Sequence, residues 1–239
     1  AKEGFTANDH AFEHKQGFFA VYNDGVPVNQ AAMLGDWFAP PEILDPGVCL
    51  KLYPCGAHTH PFIEMTKNLI AEHGITLEVI GRIDALSETS RHHHTNRPQP
   101  RSGLDGKFSV QYTMARTLLD GAPRLEHFTD KAVVEADIKA VMAIIHAAPH
   151  PDLDKSWADK YGGEVVITLK SGATHKARIE HQIARGPSTP LSEDELRGKF
   201  LDCAAACLEP TQAERLFNAL IEMDSCENMT TLTALTIPK

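Results

Sequence analysis

The sequence predicts an α+β fold in which a small, mainly antiparallel sheet is accompanied by helices and flanked by helical segments. Three observations carry that expectation. Apolar residues recur at helical spacing after His60, after Ser109 and after Pro210. Two alternating runs, 164–169 and 174–181, flank Lys-Ser-Gly-Ala as a hairpin does, with Gly172 in the turn. Residues 76–84 (Thr-Leu-Glu-Val-Ile-Gly-Arg-Ile-Asp) alternate as one further strand.

Element by element, residues 6–13 predict a short capped helix, with Phe12, Phe18 and Phe19 seeking a core. Prolines and glycines break residues 24–47 into an irregular stretch around Trp37. From His60 a helix places Phe62, Ile63, Met65, Leu69 and Ile70 on one face and ends at Gly74. Residues 87–107, polar and rich in His and Pro, read as a loop. A second helix covers 109–119, with Gly121 as its stop, and 129 to about 146 reads as one or two helices ending near Ile145. Residues 185–191 form a linker. Ser192 and Glu195 make a capping box that opens a further helix. Residues 210–223 form another, with Leu216, Phe217, Leu220 and Ile221 on its buried side.

A chain of 239 residues is long enough for one large domain or two modest ones with a proper core. Its net charge of −9 argues against nucleic-acid binding, which wants a basic face, yet a few cations lining a cleft still suit a small anion. The five cysteines (Cys49, Cys55, Cys203, Cys207, Cys226) form no CxxC pair, so reduced thiols in a cytoplasmic setting are expected. No apolar run approaches the ~20 residues that span a bilayer, and no membrane partner is expected. The first residues lack a signal peptide's apolar core. They begin without Met in what reads as mid-element sequence, and a fragment is the expectation.

The chemistry concentrates in residues 51–60, Lys-Leu-Tyr-Pro-Cys-Gly-Ala-His-Thr-His. Pro54 and Gly56 exclude a helix there, so Lys51, Tyr53, Cys55, His58 and His60 share a turn leading into a helix. Lys51 and a helix N-terminus favour a carboxylate, and an imidazole beside them is a candidate proton carrier near neutral pH. Cys55 has no recognisable partner base and reads as structural filler. Arg101 and Lys107 bracket the loop before the second helix; each is a carboxylate ligand or a surface charge, with Asp105 as a possible partner. The adjacent His92, His93 and His94 do not converge easily on one ion, and no HxxxH or HExxH stands on an expected helix, so no metal is expected. Gly103, Gly106 and Gly162-Gly163 fit no phosphate-loop pattern.

The motif order resembles the MmgE/PrpD family. Residues 51–60 are similar to its K-x-[YF]-P-x-C-G-x-x-H signature. Residues 104–121 (Leu-Asp-Gly-Lys-Phe-Ser-Val-Gln-Tyr-Thr-Met-Ala-Arg-Thr-Leu-Leu-Asp-Gly) resemble its (E/D)-A-K-F-S-x-x-Y-x-x-A-x-x-L-x-x-G block. Residues 186–200 (Gly-Pro-Ser-Thr-Pro-Leu-Ser-Glu-Asp-Glu-Leu-Arg-Gly-Lys-Phe) resemble its G-x-P-x-x-P-L-[ST]-x-x-E-L-x-x-K-F block. The family includes 2-methylcitrate dehydratase, cis-aconitate decarboxylase and an iminodisuccinate epimerase, built from a large helical domain and a smaller α+β lid. The resemblance implies that 48–187 is the lid, and that 1–47 and 188–239 belong to the helical domain. Most of that domain, with an acidic residue and histidines of the site, would then precede Ala1.

It further implies a lyase on a small polycarboxylate, a 2-methylcitrate dehydratase-like hydro-lyase, needing no cofactor. Epimerase or decarboxylase chemistry, or a non-catalytic truncated subunit, are the alternatives. A homodimer or a missing N-terminal helical half is the implied partner. Lys51 would bind a carboxylate. His60 stands at the family's histidine and would handle a proton or serve as a structural imidazole. Tyr112 would bond substrate or act as an acid, or pack in the core. His58, Arg101 and Lys107 would assist binding. Two departures stand out: Gly106 replaces the family's Ala, and Gly56 stands five residues after Lys51, where the decarboxylase branch has a catalytic histidine.

Overall fold

The computed structural model describes residues 4, 6–23, 26–35, 40–41, 43–153, 162–180, 185–187 and 189–238. Two compact units divide the chain, Ala1–Val48 and Cys49–Lys239. In the first, α1 (Phe18–Tyr22) follows Gly17, and α2 (Gln30–Leu34) is capped by the Asn29 side chain, which accepts from Ala32 N–H at 3.1 Å. The helix expected over 6–13 is instead a run of turns from residue 9. Asn8 explains the difference: its side chain accepts from His10 N–H at 2.9 Å and its carbonyl from Ala11 N–H at 3.1 Å. Such local bonds compete with a helical ladder. Phe12, Phe18 and Phe19 stack on one another, with centroids 5.8–5.9 Å apart, and Phe12 and Phe18 remain about half exposed. Trp37 and His181 lie outside the described residues.

The second unit is α+β. It runs through α3 (His60–His73), β1 (Ile80–Ser87), α4 (Thr89–Thr95), α5 (Gly103–Gly106), α6 (Val110–Asp120), α7 (Ala136–Met142), β2 (Ile145–Pro149), β3 (Gly163–Leu169), β4 (Thr174–Ile179), α8 (Glu193–Ala204), α9 (Pro210–Ile221) and α10 (Met229–Ala234). The strands form one mixed sheet in the order β2-β1-β3-β4. Two of its pairings are antiparallel, and β1 with β2 is parallel. Ile83 faces Ile167 and Ala85 faces Val165 across β1 and β3, so their buried side chains share one face of the sheet. Against that face lie Phe62, Met65 and Leu69 of α3 and Val110 and Met114 of α6. Each such side chain contributes about 1.5–3 kcal/mol by leaving water.

The helices expected at 60, 109, 192 and 210 are present. Gly74 and Gly121 end α3 and α6 in the left-handed region, and Ser192 with Glu195 forms the capping box of α8. Three segments differ. Ile145 and His146, expected to end a helix, instead open the strand Ile145–Pro149: its backbone pairs with β1, and that ladder overrides the local helical pattern. The expected loop 87–107 holds α4 and α5, capped by side-chain oxygens of Glu88 and Ser102. Leu220 and Ile221 are exposed, while Leu216 and Phe217 of α9 are buried. The first strand also starts later, at Ile80, after a 3₁₀ turn over Leu77–Val79. Among the described residues, no helix is long and apolar enough to cross a membrane.

Two glycines allow a paired test of the packing. A Cβ on Gly103 would lie 1.8 Å from the Phe128 carbonyl oxygen, whereas one on Gly198, in α8, meets nothing within 4 Å. Gly103→Ala is expected to cost about 3 kcal/mol, and Gly198→Ala to add roughly 0.5–1 kcal/mol through helix propensity. Urea midpoints at unchanged m-value provide the measurement.

Candidate active site

Three ties hold the turn 51–60. Leu50 exchanges two backbone hydrogen bonds with Arg185, at 2.8 and 3.1 Å. Gly56 N–H donates to the Lys107 carbonyl at 2.7 Å. The Thr59 hydroxyl donates to the Gly56 carbonyl at 2.8 Å, just where α3 begins. Tyr53 locks the turn to α3, its hydroxyl donating to Glu64 Oε1 at 2.5 Å and accepting from Lys67 Nζ at 3.0 Å. Burial and the Glu64 carboxylate push the Tyr53 phenol up, so it stays protonated.

Lys51 stands exposed at the head of the turn. Its charge acts on Cys55, His58 and His60. Lys107, half-buried with Nζ 5.7 Å from the Phe128 ring centre, acts on Cys55 from the other side. Burial nevertheless dominates and pushes the Cys55 thiol up to about 12. The thiolate a nucleophile needs is therefore suppressed, in keeping with Cys55 as filler.

Both imidazoles are neutral. His58 Nε2 lies 2.6 Å from Arg91 Nη1. Guanidinium only donates, so Nε2 accepts and the ring proton belongs on Nδ1. Burial first, then the Arg91, His94 and Lys51 charges, bring its pKa down to about 4. His60, 5% exposed, has a pKa lowered to about 4, chiefly by burial. The Cys55 and Tyr53 backbones partly oppose that shift, and the His60 ring sits edge-on to the Tyr53 ring at 5.3 Å. His60 Nε2 is buried without a hydrogen-bond partner among the described residues.

Arg91 is the neighbour of His58 that the sequence reading missed. It lies on α4, which packs against the 3₁₀ turn Ala57–Thr59. His94 shares its face of the helix at i+3, with its ring 5.7 Å from His58 and 5.3 Å from Phe108. Helical spacing within Arg91-His-His-His94 was the available signal, and reading a loop there hid it. Among the described residues, no group of three or more His, Cys, Asp or Glu is arranged to hold a metal.

The structure thus brings Lys51, His58, His60 and Lys107 together, and it sets two expected site residues elsewhere. Tyr112 is fully buried in the core. Its hydroxyl donates to the His127 carbonyl and accepts from Arg116 Nε at 3.1 Å. Arg116 continues to the Ala132 carbonyl at 3.0 Å and Glu135 at 3.1 Å. Arg101 is exposed, its backbone N–H donating to Asp105 at 3.1 Å, and its side chain lines a different cleft. Asp105 pairs instead with Arg97 at 2.7 Å. At Gly106 a Cβ would come within 2.7 Å of Val133 Cγ1, so Val133 occupies the space an alanine there would take.

Comparison with known proteins agrees with the motifs. The family model for the MmgE/PrpD C-terminal domain matches residues 53–223. The chain belongs to the MmgE/PrpD family. It is 25% identical over 238 residues to cis-aconitate decarboxylase of Homo sapiens, covering 97% of this chain and 48% of that protein. The Mus musculus cis-aconitate decarboxylase is 29% identical over 142 residues, 59% of this chain and 29% of that protein. A cis-aconitate decarboxylase-like protein of Aspergillus oryzae (strain ATCC 42149 / RIB 40) is 23% identical over 256 residues, 98% of this chain and 50% of that protein. The chain spans about half the length of the curated relatives it matches, or less. Lys51 lies two residues ahead of the segment the MmgE/PrpD model matches.

Two measurements test these placements. The His60 pKa is about 4 in the fold against 6.5 for a free imidazole, so the folded state binds fewer protons. Its contribution is complete above about pH 6.5 and is lost as pH falls toward 4, a change of about 3 kcal/mol. In urea denaturation at pH 7.5 and pH 4.5, His60→Gln is expected to lose about 2–3 kcal/mol less between the two than the unaltered chain. Tyr112→Phe leaves Arg116 Nε and the His127 carbonyl short of a partner, and is expected to cost about 1–3 kcal/mol in the same assay at pH 7.5.

Proposed function

We propose that the turn 51–60 is the carboxylate-binding half of a lyase site acting on a small polycarboxylate, in a lid formed by residues 48–187. The reaction would be a 2-methylcitrate dehydratase-like elimination. The observation that carries this reading is a pair of neutral imidazoles beside Lys51, one of them with a buried Nε2 that no described group satisfies. Elimination begins with loss of a proton α to a carboxylate, which needs an uncharged base and a cation for the charge that develops.

In this proposal His60 Nε2 takes the α-proton, and Lys51 stabilises the resulting aci-carboxylate. The electron pair forms the carbon–carbon double bond as the β-hydroxyl departs, and the proton His60 took passes to it, so that water leaves and the imidazole is neutral again. His58 stays uncharged beside Arg91, and Lys107 adds a second point charge. A pKa near 4 makes a weak base in the empty site. Bound carboxylates supply negative charge beside Lys51 and raise that basicity toward the working range.

Decarboxylation is the second reading, because the relatives named above are cis-aconitate decarboxylases or similar to them. Packing at Gly56 weighs against it. A Cβ there would sit 3.0 Å from Phe108 Cδ1 and 3.3 Å from the Lys107 carbonyl. The histidine of the decarboxylase branch would have to displace both.

The test uses the native full-length protein with 2-methylcitrate, citrate and cis-aconitate. Ultraviolet absorbance of a new unsaturated acid from the hydroxy acids is the expected result, with kcat/KM lowered about 100-fold by Lys51→Gln. Carbon dioxide released from cis-aconitate, with no dehydration, would favour the second reading. Unchanged kcat/KM in Lys51→Gln would remove the turn from the site.

A further inference from the structure

A cleft of about 680 Å³ lies beyond the turn, between the 98–101 loop, the 133–143 segment and the start of β2. That volume falls within the roughly 300–1,000 Å³ of small-molecule sites. Val133, Val134, Met142 and Ile145 give it an apolar floor. Arg101, Lys139 and His146 also line it, and all three are exposed. Among the described residues no Asp or Glu lines the cleft, in a chain whose net charge is −9.

The arginines elsewhere set the contrast. Six of the other nine arginines, Arg82, Arg97, Arg116, Arg178, Arg185 and Arg197, each hold a carboxylate. The Arg101 and Lys139 side chains have no hydrogen-bond or ion-pair partner among the described residues. Two unneutralised cations over an apolar floor match a ligand with an anionic head and a hydrocarbon body. A polycarboxylate of the kind proposed for the turn has no such body, and no residue of 51–60 lines this cleft.

We propose that this cleft is a separate binding site for a small amphipathic carboxylate. The acid head lies between the Arg101 guanidinium, which offers a two-pronged grip, and the Lys139 ammonium. The aliphatic body covers Val133, Met142 and Ile145. The proposal does not depend on the reaction assigned to the turn.

The experiment titrates the full chain with butyrate, hexanoate and octanoate, followed by calorimetry and by methyl resonances of Val133, Met142 and Ile145. Saturable one-to-one binding is expected, tightening about threefold per added methylene. Arg101→Gln and Lys139→Gln are each expected to weaken octanoate about tenfold, with Arg101→Lys losing less because it keeps the charge but not the two-pronged grip. Octan-1-ol, with the same tail and no charge, is expected to bind at least about tenfold more weakly. Lys51→Gln is expected to leave octanoate affinity unchanged, which separates this site from the turn. No saturable octanoate binding in the millimolar range would overturn the proposal. So would affinity indifferent to tail length, to the head charge or to both cleft cations, or octanoate shifts confined to residues 51–60.

Discussion

One backbone hydrogen bond decides what this site can be: Gly56 N–H to the Lys107 carbonyl, at 2.7 Å. It ties the turn before α3 to the segment between α5 and α6, two stretches far apart in sequence. Because of it, Lys51 and Lys107 bear on the same thiol. Phe108 is drawn against Gly56, and the Phe108 ring meets His94, which in turn faces His58. Three elements therefore converge on one imidazole. A side chain larger than hydrogen at position 56 would press on the atoms that make this junction.

The electrostatics follow from that convergence. Burial acts on Tyr53, Cys55, His58 and His60 together and drives each toward its neutral form. For the phenol and thiol this means holding the proton; for the imidazoles it means giving it up. The inner side of the turn is thus uncharged, and the positive charge is left outside on Lys51. Among the described residues Lys51 holds no ion pair that an incoming anion would have to break. Linkage makes the effect reciprocal: a ligand that raises the imidazole pKa binds more tightly as the imidazole gains its proton.

Most of the fold was legible because its signals are local. The capping box at Ser192, the hairpin around Gly172 and the stripe Phe62–Met65–Leu69 depend on residues that stand next to one another in the sequence or in one helix. Ile145–Pro149 was not legible, since its state is set by a strand some sixty positions earlier in the chain, through the pairing of Ile83 with Ile145. At the site, Lys51, His58 and His60 lie in one turn and were found together. Arg91 reaches the site only because α4 packs on that turn. Its helix was hidden by a His- and Pro-rich composition that reads as loop.

Tyr112 and Arg101 show where motif and place part company. Tyr112 occupies a family block, yet its ring fills the core and its hydroxyl joins Arg116 to the backbone of the 125–128 turn. A buried guanidinium must have its donors satisfied, and Arg116 draws on Tyr112, the Ala132 carbonyl, Glu135 and Asp120 to do so. The tyrosine is accounted for by that need before any substrate is considered. For Arg101 the argument runs the other way. Asp105 gives one oxygen to Arg97 and the other to the Arg101 backbone. The guanidinium is left over, next to a hydrophobic floor rather than beside the imidazoles. An exposed positive charge at the rim of an apolar cleft suits a different anion from the one proposed for Lys51.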